Sequence, residues 1–236
     1  MTELGEVIGD RELVALTGGG GKTTLLFSLA AELAGRGGRV IGTTTTKLGA
    51  DQVSGHRVCW SADPAEVEAG LDGDGPLFVL QAGDDRKVTG YEPEVVDELY
   101  ADSSATHVLV EADGARSRPL KAPAAHEPVI PGAATLVVVV MGIDALGRTL
   151  FEAAHRPPEA AALTGLTEWA RITPAVAAQV LTHPDGGLKG VPAASRVVVA
   201  LTKVAPAAGD AAEELEGLLA GHGRIERVIR IPRMAN

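Results

Sequence analysis

The chain has 236 residues, of which 45% are hydrophobic and only 3% aromatic, so its core is expected to be packed from Ala, Val and Leu. Its 21 Lys and Arg residues are outnumbered by 31 Asp and Glu residues, and the net charge of −10 argues against binding to nucleic acid or to an anionic membrane surface. The single cysteine, Cys59, excludes an internal disulfide framework and a four-thiolate zinc site. Residues 1–14 are acidic and lack an apolar signal core, and the run 136–141 is too short to cross a bilayer. We therefore expect a cytoplasmic protein.

A glycine-rich segment stands near the N-terminus, in LVALTGGGGKTTLL (residues 13–26). Its first four residues predict a buried strand, and apolar residues at helical spacing predict a helix after the glycines. Glycines let backbone amides turn toward an anion, and a helix N-terminus adds partial positive charge. We interpret the segment as a phosphate-binding loop. Its predicted ligand-binding residues are Gly18, Gly19, Gly20, Gly21, Lys22, Thr23 and Thr24.

Two side chains of this loop have expected roles. Lys22 is expected to reach the β- and γ-phosphates, and the Thr23 hydroxyl is expected to ligate Mg²⁺. Leu16 stands where the pattern G-x-x-x-x-G-K-[ST] has its first glycine, so the loop is closer to the compact G-x-x-G-K-T-T loop of Mur-type peptide ligases, which binds ATP. The alternative is a flexible glycine linker, but the flanking strand and helix favour the loop.

A threonine cluster follows in RVIGTTTTKLGA (residues 39–50), which we predict to be a second strand. In a parallel sheet its carboxyl end lies on the same side as the phosphate loop. Thr45, Thr46 and Lys47 are then expected to approach Mg²⁺ or the γ-phosphate. The alternative is a strand with a polar end.

Two acidic residues follow the strand predicted at 108–110. Glu111 and Asp113 are two residues apart, so in an extended strand they project to one side, where they would hold Mg²⁺ as Walker-B carboxylates. Glu111-x-x-Gly114 also matches the D/E-x-x-G element, whose glycine amide senses a γ-phosphate. The alternative is an Asp-Gly turn at a strand end.

A long polar segment, residues 114–132, leaves this strand and is predicted to be a lid or partner-docking element within one domain of residues 1–236. Lys121 is expected to neutralise a phosphate or anionic cofactor, and His126 to act as an acid, a base or a ligand. The alternative is a surface excursion held by prolines, in which case these residues and Glu127 are structural.

Strands and helices alternate to the end of the chain. Strands are predicted at 56–60, 76–80, 135–142, 196–204 and 225–231. Helices are predicted from Pro64, from Pro93 to Tyr100, from Pro174, over 211–220 and over 144–163 with a break at Pro157-Pro158. This alternation predicts an α/β fold with a mainly parallel sheet and right-handed crossovers.

The late motif Leu201-Thr202-Lys203 matches the start of [NT]-K-x-D, but Ala205 stands at the position of the guanine-reading aspartate. Lys203 is therefore predicted either to stack on a base or to have a purely structural role. ATP is the expected nucleotide, and GTP is not excluded.

The segments LTGGGGKTTLL, GTTTTKLGA, VEADGARSRPLKAPAAHEPVIP and VALTKV together resemble the YqeC family of selenium-dependent hydroxylase accessory proteins. The resemblance implies a P-loop NTPase-like three-layer sandwich that assists assembly of the selenium-containing site of molybdenum hydroxylases. The implied partner is such a hydroxylase or its cofactor precursor. Three functions stay open: a nucleotide hydrolase coupled to cofactor delivery, a small-molecule kinase or ATP-dependent ligase, and a nucleotide sensor without turnover.

Overall fold

The computed structural model describes residues 2–205 and 209–232. The strands are β1 (Glu12–Gly18), β2 (Val40–Thr44), β3 (Lys47–Gly49), β4 (Arg57–Cys59), β5 (Leu77–Val79), β6 (Lys87–Thr89), β7 (His107–Glu111), β8 (Leu120–Lys121), β9 (Leu136–Gly142), β10 (Ala154–His155), β11 (Arg196–Val204) and β12 (Arg227–Pro232). The helices are α1 (Glu3–Val7), α2 (Lys22–Gly35), α3 (Ala50–Val53), α4 (Pro64–Leu71), α5 (Pro93–Asp102), α6 (Leu150–Ala153), α7 (Pro157–Thr164), α8 (Pro174–Thr182) and α9 (Gly209–Ala220).

Eight strands form one sheet in the order β12-β11-β9-β1-β7-β2-β5-β4. The pairings of β1 with β7, β7 with β2, β2 with β5, β5 with β4 and β11 with β12 are all parallel. Every residue of β9 is buried, as expected for a strand covered on both faces. The sheet and its flanking helices confirm the predicted α/β class and agree with a P-loop NTPase-like sandwich.

The internal contacts divide the chain into two compact units. The first unit comprises Met1–Leu16, Thr23–Gly114 and Val129–Leu136, and the second comprises Thr17–Lys22, Ala115–Pro128 and Val137–Asn236. The single domain stays a prediction. No helix within residues 2–205 or 209–232 is both long and apolar enough to cross a membrane.

Two predicted elements differ in the structure. The strand predicted over 39–50 ends at Thr44, and Lys47 lies exposed on β3, which pairs antiparallel with β6. The helix predicted over 144–163 is present only in part, as α6 and α7, because Ala154 and His155 between them form β10, which pairs with β8. Pro157 begins α7 rather than breaking a helix, since the first turn of a helix needs no amide donor there.

Candidate functional site

The glycine loop of the second unit packs directly on other backbone. Gly18, Gly20 and Gly21 have backbone φ values of +90°, +84° and +114°, which L-residues other than glycine rarely adopt. A Cβ on Gly20 would lie 2.1 Å from the Gly142 nitrogen, and one on Gly19 would lie 2.6 Å from the Arg118 carbonyl oxygen. A Cβ on Gly21 would meet no described atom within 4 Å. Glycine is therefore needed both for the turn and for the close approach.

Two amides of this loop are engaged within the protein. Gly19 donates to the Val140 carbonyl at 2.8 Å, and Gly20 donates to the Arg118 carbonyl at 2.9 Å. All four glycines were predicted to bind a phosphate, whereas the amides of Gly19 and Gly20 hold the loop against neighbouring backbone. We therefore expect phosphate contacts from Gly21 onward, where the 14-residue helix α2 begins.

The Lys22 side chain folds back over the loop. Its Nζ donates to the Gly18 carbonyl at 2.6 Å, and only 4% of the residue is exposed. The Thr202 hydroxyl, on β11, donates to the carbonyl of Gly20. This arrangement keeps the Lys22 ammonium beside the loop, where it can reach an anion held by the loop.

Thr23 follows Lys22 in the chain and belongs to the first unit. Its Oγ1 donates to Oε2 of Glu111 at 2.7 Å. Glu111 is 5% exposed and Asp113 only 2% exposed, so both carboxylates are buried at the end of β7. The parallel register places Leu16, Glu111 and Thr44 side by side, at the carboxyl ends of three strands. The Thr23 hydroxyl and the Glu111 carboxylate, each predicted to ligate Mg²⁺, are thus in contact, while the binding of Mg²⁺ stays a prediction.

The threonines at the end of β2 and directly after it form hydrogen bonds within the first unit. Thr45 Oγ1 donates to the Val129 carbonyl at 2.7 Å, and the Thr46 hydroxyl lies 3.1 Å from the Thr44 hydroxyl. Thr44 Oγ1 donates to the Glu111 carbonyl at 2.7 Å. The Thr44 hydroxyl thus holds the backbone of Glu111 in place. The predicted contact of Thr45 and Thr46 with a metal or phosphate stays a prediction.

The donor set of the first unit fits magnesium. Mg²⁺ is usually bound by one or two carboxylates together with phosphate and water oxygens. The Thr23 hydroxyl and the Glu111 carboxylate are already in contact, and Asp113 is the next acidic residue along the chain. Gly114, half-buried beside them, has no described atom within 4 Å of a Cβ built on it.

Lys121 lies in the second unit and is not a solvent-facing lid residue. Only 1% of its side chain is exposed, and its Nζ lies 3.2 Å from Oε2 of Glu127. The same carboxylate oxygen lies 3.0 Å from Nη2 of Arg156. His126, the other predicted residue of this segment, is exposed. The Glu127 carboxylate thus pairs with both Lys121 and Arg156.

His155 and Arg156 were missed by the sequence analysis. Parallel pairing of β8 with β10 sets His155 opposite Lys121. Burial, reinforced by the charges of Lys121 and Arg156, lowers the pKa of His155 below its ordinary value, so the imidazole is neutral at pH 7. Burial raises the pKa of Glu127, but Lys121 and hydrogen bonds outweigh this and bring it below its ordinary value. A two-residue strand has no periodicity from which this pairing could be predicted.

Lys203, the penultimate residue of β11, has an unusual backbone conformation. Its φ is +59°, and its Nζ lies 3.0 Å from Oδ2 of Asp144. The Lys203 and Asp144 side chains are 39% and 46% exposed. This ion pair agrees with a structural role, and the predicted stacking on a base stays untested.

Comparison with known proteins shows which family this chain is similar to. The family model described as YqeC protein matches residues 14–158. An uncharacterized YqeC protein of Escherichia coli (strain K12) is 38% identical over 191 residues, which cover 79% of this chain and 73% of the relative. The matched range includes the glycine loop, both carboxylates and the Lys121–Arg156 group, whereas Lys203 lies outside it.

Proposed function

The chain belongs to the YqeC family, and from this premise we propose that it is a Mg²⁺-dependent nucleoside triphosphatase that assists maturation of a selenium-dependent molybdenum hydroxylase. The observation that carries the nucleotide part is the hydrogen bond from Thr23 to Glu111, directly after Lys22 and the glycine loop. The maturation part rests on the resemblance of the sequence motifs to this family. ATP is the proposed nucleotide, because Ala205 replaces the aspartate that would read guanine, and GTP is the alternative.

Each residue has a distinct proposed role. The amides from Gly21 onward bind the phosphates at the start of α2, and the Lys22 ammonium leaves the Gly18 carbonyl to pair with a phosphate oxygen. Thr23 and Glu111 hold Mg²⁺, which when bound neutralises charge on the phosphates. Asp113 orients the attacking group.

A second candidate function is transfer of phosphate to a small molecule, by a kinase or an ATP-dependent ligase. The group of Lys121, Glu127 and Arg156 favours it, because this group belongs to the same unit as the glycine loop. Hydrolysis stimulated by a hydroxylase partner would favour the first function, and a phosphorylated or adenylated small molecule would favour the second. Tight nucleotide binding without turnover would indicate a sensor.

Turnover by an Asp113→Asn variant tests the proposed catalytic role. We expect phosphate release from ATP to slow at least about tenfold, a loss of roughly 1.4 kcal/mol of transition-state stabilisation, while ATP affinity stays near wild type. The reason is that Asp113 acts on the attacking group rather than on the triphosphate. Phosphate release and calorimetric affinity are to be measured on the same preparations.

The matched control is Asp51→Asn, which removes an exposed carboxylate of the same unit and should leave both quantities unchanged. A wild-type rate in Asp113→Asn would contradict the proposed role. Equal loss of affinity and rate would make the carboxylate structural.

A further inference from the structure

Both tryptophans of the chain are exposed. Trp60, in the first unit, is 52% exposed, and Trp169, in the second unit, is 68% exposed. The chain has only seven aromatic residues, counting two Trp, two Tyr and three Phe. Aromatic side chains gain much free energy from burial, and Trp is enriched among the residues that carry most of the binding energy of protein–protein interfaces. The surfaces around Trp60 and Trp169 are therefore candidate contact surfaces.

Trp169 belongs to an exposed aromatic pair. Its ring centroid lies 4.7 Å from that of Phe151, which is itself 49% exposed. The Phe151 amide donates to the Glu168 carbonyl at 2.8 Å, so the backbone of one ring is tied to the segment that carries the other. Side chains that are held in place before a partner arrives lose little conformational freedom on binding. The aromatic pair, Phe151 and Trp169, is thus a preformed apolar surface of the second unit.

Exposed arginines surround the aromatic pair. Arg118 and Arg148 both donate to the Glu152 carbonyl beside the pair, and Arg171 donates to another backbone carbonyl at 2.6 Å. These hydrogen bonds hold the guanidinium groups in place, but a carbonyl does not neutralise their charge. Within residues 2–205 and 209–232, none of the three arginines forms an ion pair. Glu152 and Glu168 supply two carboxylates in the same part of the unit, so three cations stand against two anions.

Trp60 lines an open groove in the first unit. The groove has a volume of about 720 Å³, which is within the range of pockets that hold drug-sized molecules. Its apolar lining includes Val53, Val58, Trp60 and Val88, and its acidic lining consists of Asp84 and Asp85. This surface, the Trp60 groove, therefore combines room for aromatic side chains with negative charge at its edge.

The two carboxylates of the Trp60 groove differ in their surroundings. Oδ1 of Asp84 accepts hydrogen bonds from the amides of Arg86 and Lys87 at 2.8 Å and 2.7 Å. These bonds, followed by the charges of Lys47 and Lys87, lower the pKa of Asp84. Asp85 is exposed and, in the part of the chain that the structure describes, has no ion-pair partner. Asp85 is thus available to a cation of a partner.

The two units carry formal charges of opposite sign. The first unit has 20 acidic and 7 basic residues and a charge of −13, whereas the second has 11 acidic and 14 basic residues and a charge of +3. Surfaces of opposite charge attract and orient one another during association, and surfaces of like charge repel. The second unit of one copy is therefore complementary in charge to the first unit of another copy.

We infer that the chain binds a second copy of itself, with the aromatic pair of one copy seated in the Trp60 groove of the other. Phe151 and Trp169 supply the buried apolar area, and the arginines around them face Asp84 and Asp85 of the second copy. The contact joins two unlike surfaces, and every copy carries one of each. It involves no nucleotide and does not depend on the proposed function.

Sedimentation velocity of the full chain without nucleotide tests this inference. The average mass should rise above that of the monomer with concentration, with a dissociation constant below about 100 µM, as for a weak contact. Because opposite charges contribute, association should be tighter in about 0.05 M than in about 0.5 M sodium chloride. A chain that stays monomeric at both salt concentrations would overturn the inference and leave the two surfaces to a different protein.

Two double variants, each lacking one of the surfaces, give the sharper test. Phe151→Ser with Trp169→Ser removes the aromatic pair, and Trp60→Ser with Asp85→Arg alters the groove. All four side chains are exposed, so both variants should fold. Each variant alone should associate at least tenfold more weakly than wild type. An equal mixture of the two should associate at least tenfold more tightly than either alone, because one copy keeps the groove and the other keeps the aromatic pair.

Leu218→Ser is the matched control. Leu218 is 46% exposed on α9, in the same unit as the aromatic pair, and its loss should change the dissociation constant less than twofold. Circular dichroism verifies that each variant is folded. Wild-type association of either double variant, or a mixture that associates no more tightly than its components, would show that the aromatic pair and the Trp60 groove do not bind each other.

Discussion

Replacing Gly20 with alanine is expected to lower the free energy of unfolding by about 3 kcal/mol and to abolish nucleotide binding. The added Cβ would lie 2.1 Å from the nitrogen of Gly142, which is backbone and cannot rotate away, and φ at this position is +84°. A positive φ costs an alanine roughly 1–2 kcal/mol, and overpacking adds roughly 1–3 kcal/mol. Urea unfolding of the variant and of wild type measures the difference.

Gly217→Ala is the matched control for that experiment. Gly217 lies in α9, and a Cβ there would meet no described atom within 4 Å. An alanine inside a helix should stabilise it by up to about 1 kcal/mol. A Gly20→Ala variant as stable as wild type would contradict the close packing of Gly20 against the backbone of Gly142.

Glu127→Gln is expected to destabilise the protein by about 3 kcal/mol at pH 7. The substitution removes a carboxylate that pairs with Lys121, whose side chain is only 1% exposed, and removing one partner of a buried ion pair costs roughly 3–5 kcal/mol. The half-exposed pair of Arg196 and Glu226 provides the control. Glu226→Gln should cost no more than about 1 kcal/mol.

The pH dependence of stability gives a second readout for Glu127. Its pKa in the folded protein lies below the ordinary value of 4.5, so its contribution is fully present above about pH 4.5 and is lost as the pH falls through the folded pKa. The stability difference between wild type and Glu127→Gln should therefore shrink on acidification below pH 4.5. A difference that is absent at pH 7, or constant down to low pH, would contradict the ion pair.

Local signals in the sequence predict much of the fold. Helix α4 begins at Pro64 as expected, because Asp63 caps it and proline suits its first turn. The buried strands β9 and β11 follow from their unbroken apolar runs. The position of Glu111 beside Leu16 and Thr44 follows from the rule that the carboxyl ends of parallel strands meet on one side of a sheet.

Features that depend on distant segments could not be predicted in this way. The amides of Gly19 and Gly20 are engaged because Val140 and Arg118, far along the chain, present carbonyls to them. Lys121 was predicted to neutralise a phosphate or an anionic cofactor, which stays a prediction, but its burial beside Glu127 depends on the pairing of β8 with β10 and could not be predicted. No periodicity marks either contact.

Calorimetric titration with Mg²⁺-ATP, with and without EDTA, tests the central claim most directly. Wild type should bind ATP in a Mg²⁺-dependent manner, Lys22→Ala should weaken binding at least tenfold, and Thr23→Ala should lose the Mg²⁺ dependence. Lys87→Ala, an exposed lysine on β6, should bind like wild type. A parallel titration with GTP separates the two nucleotides. Absence of binding to both nucleotides, or unchanged affinity in both loop variants, would contradict the assignment of residues 18–24 as a nucleotide site.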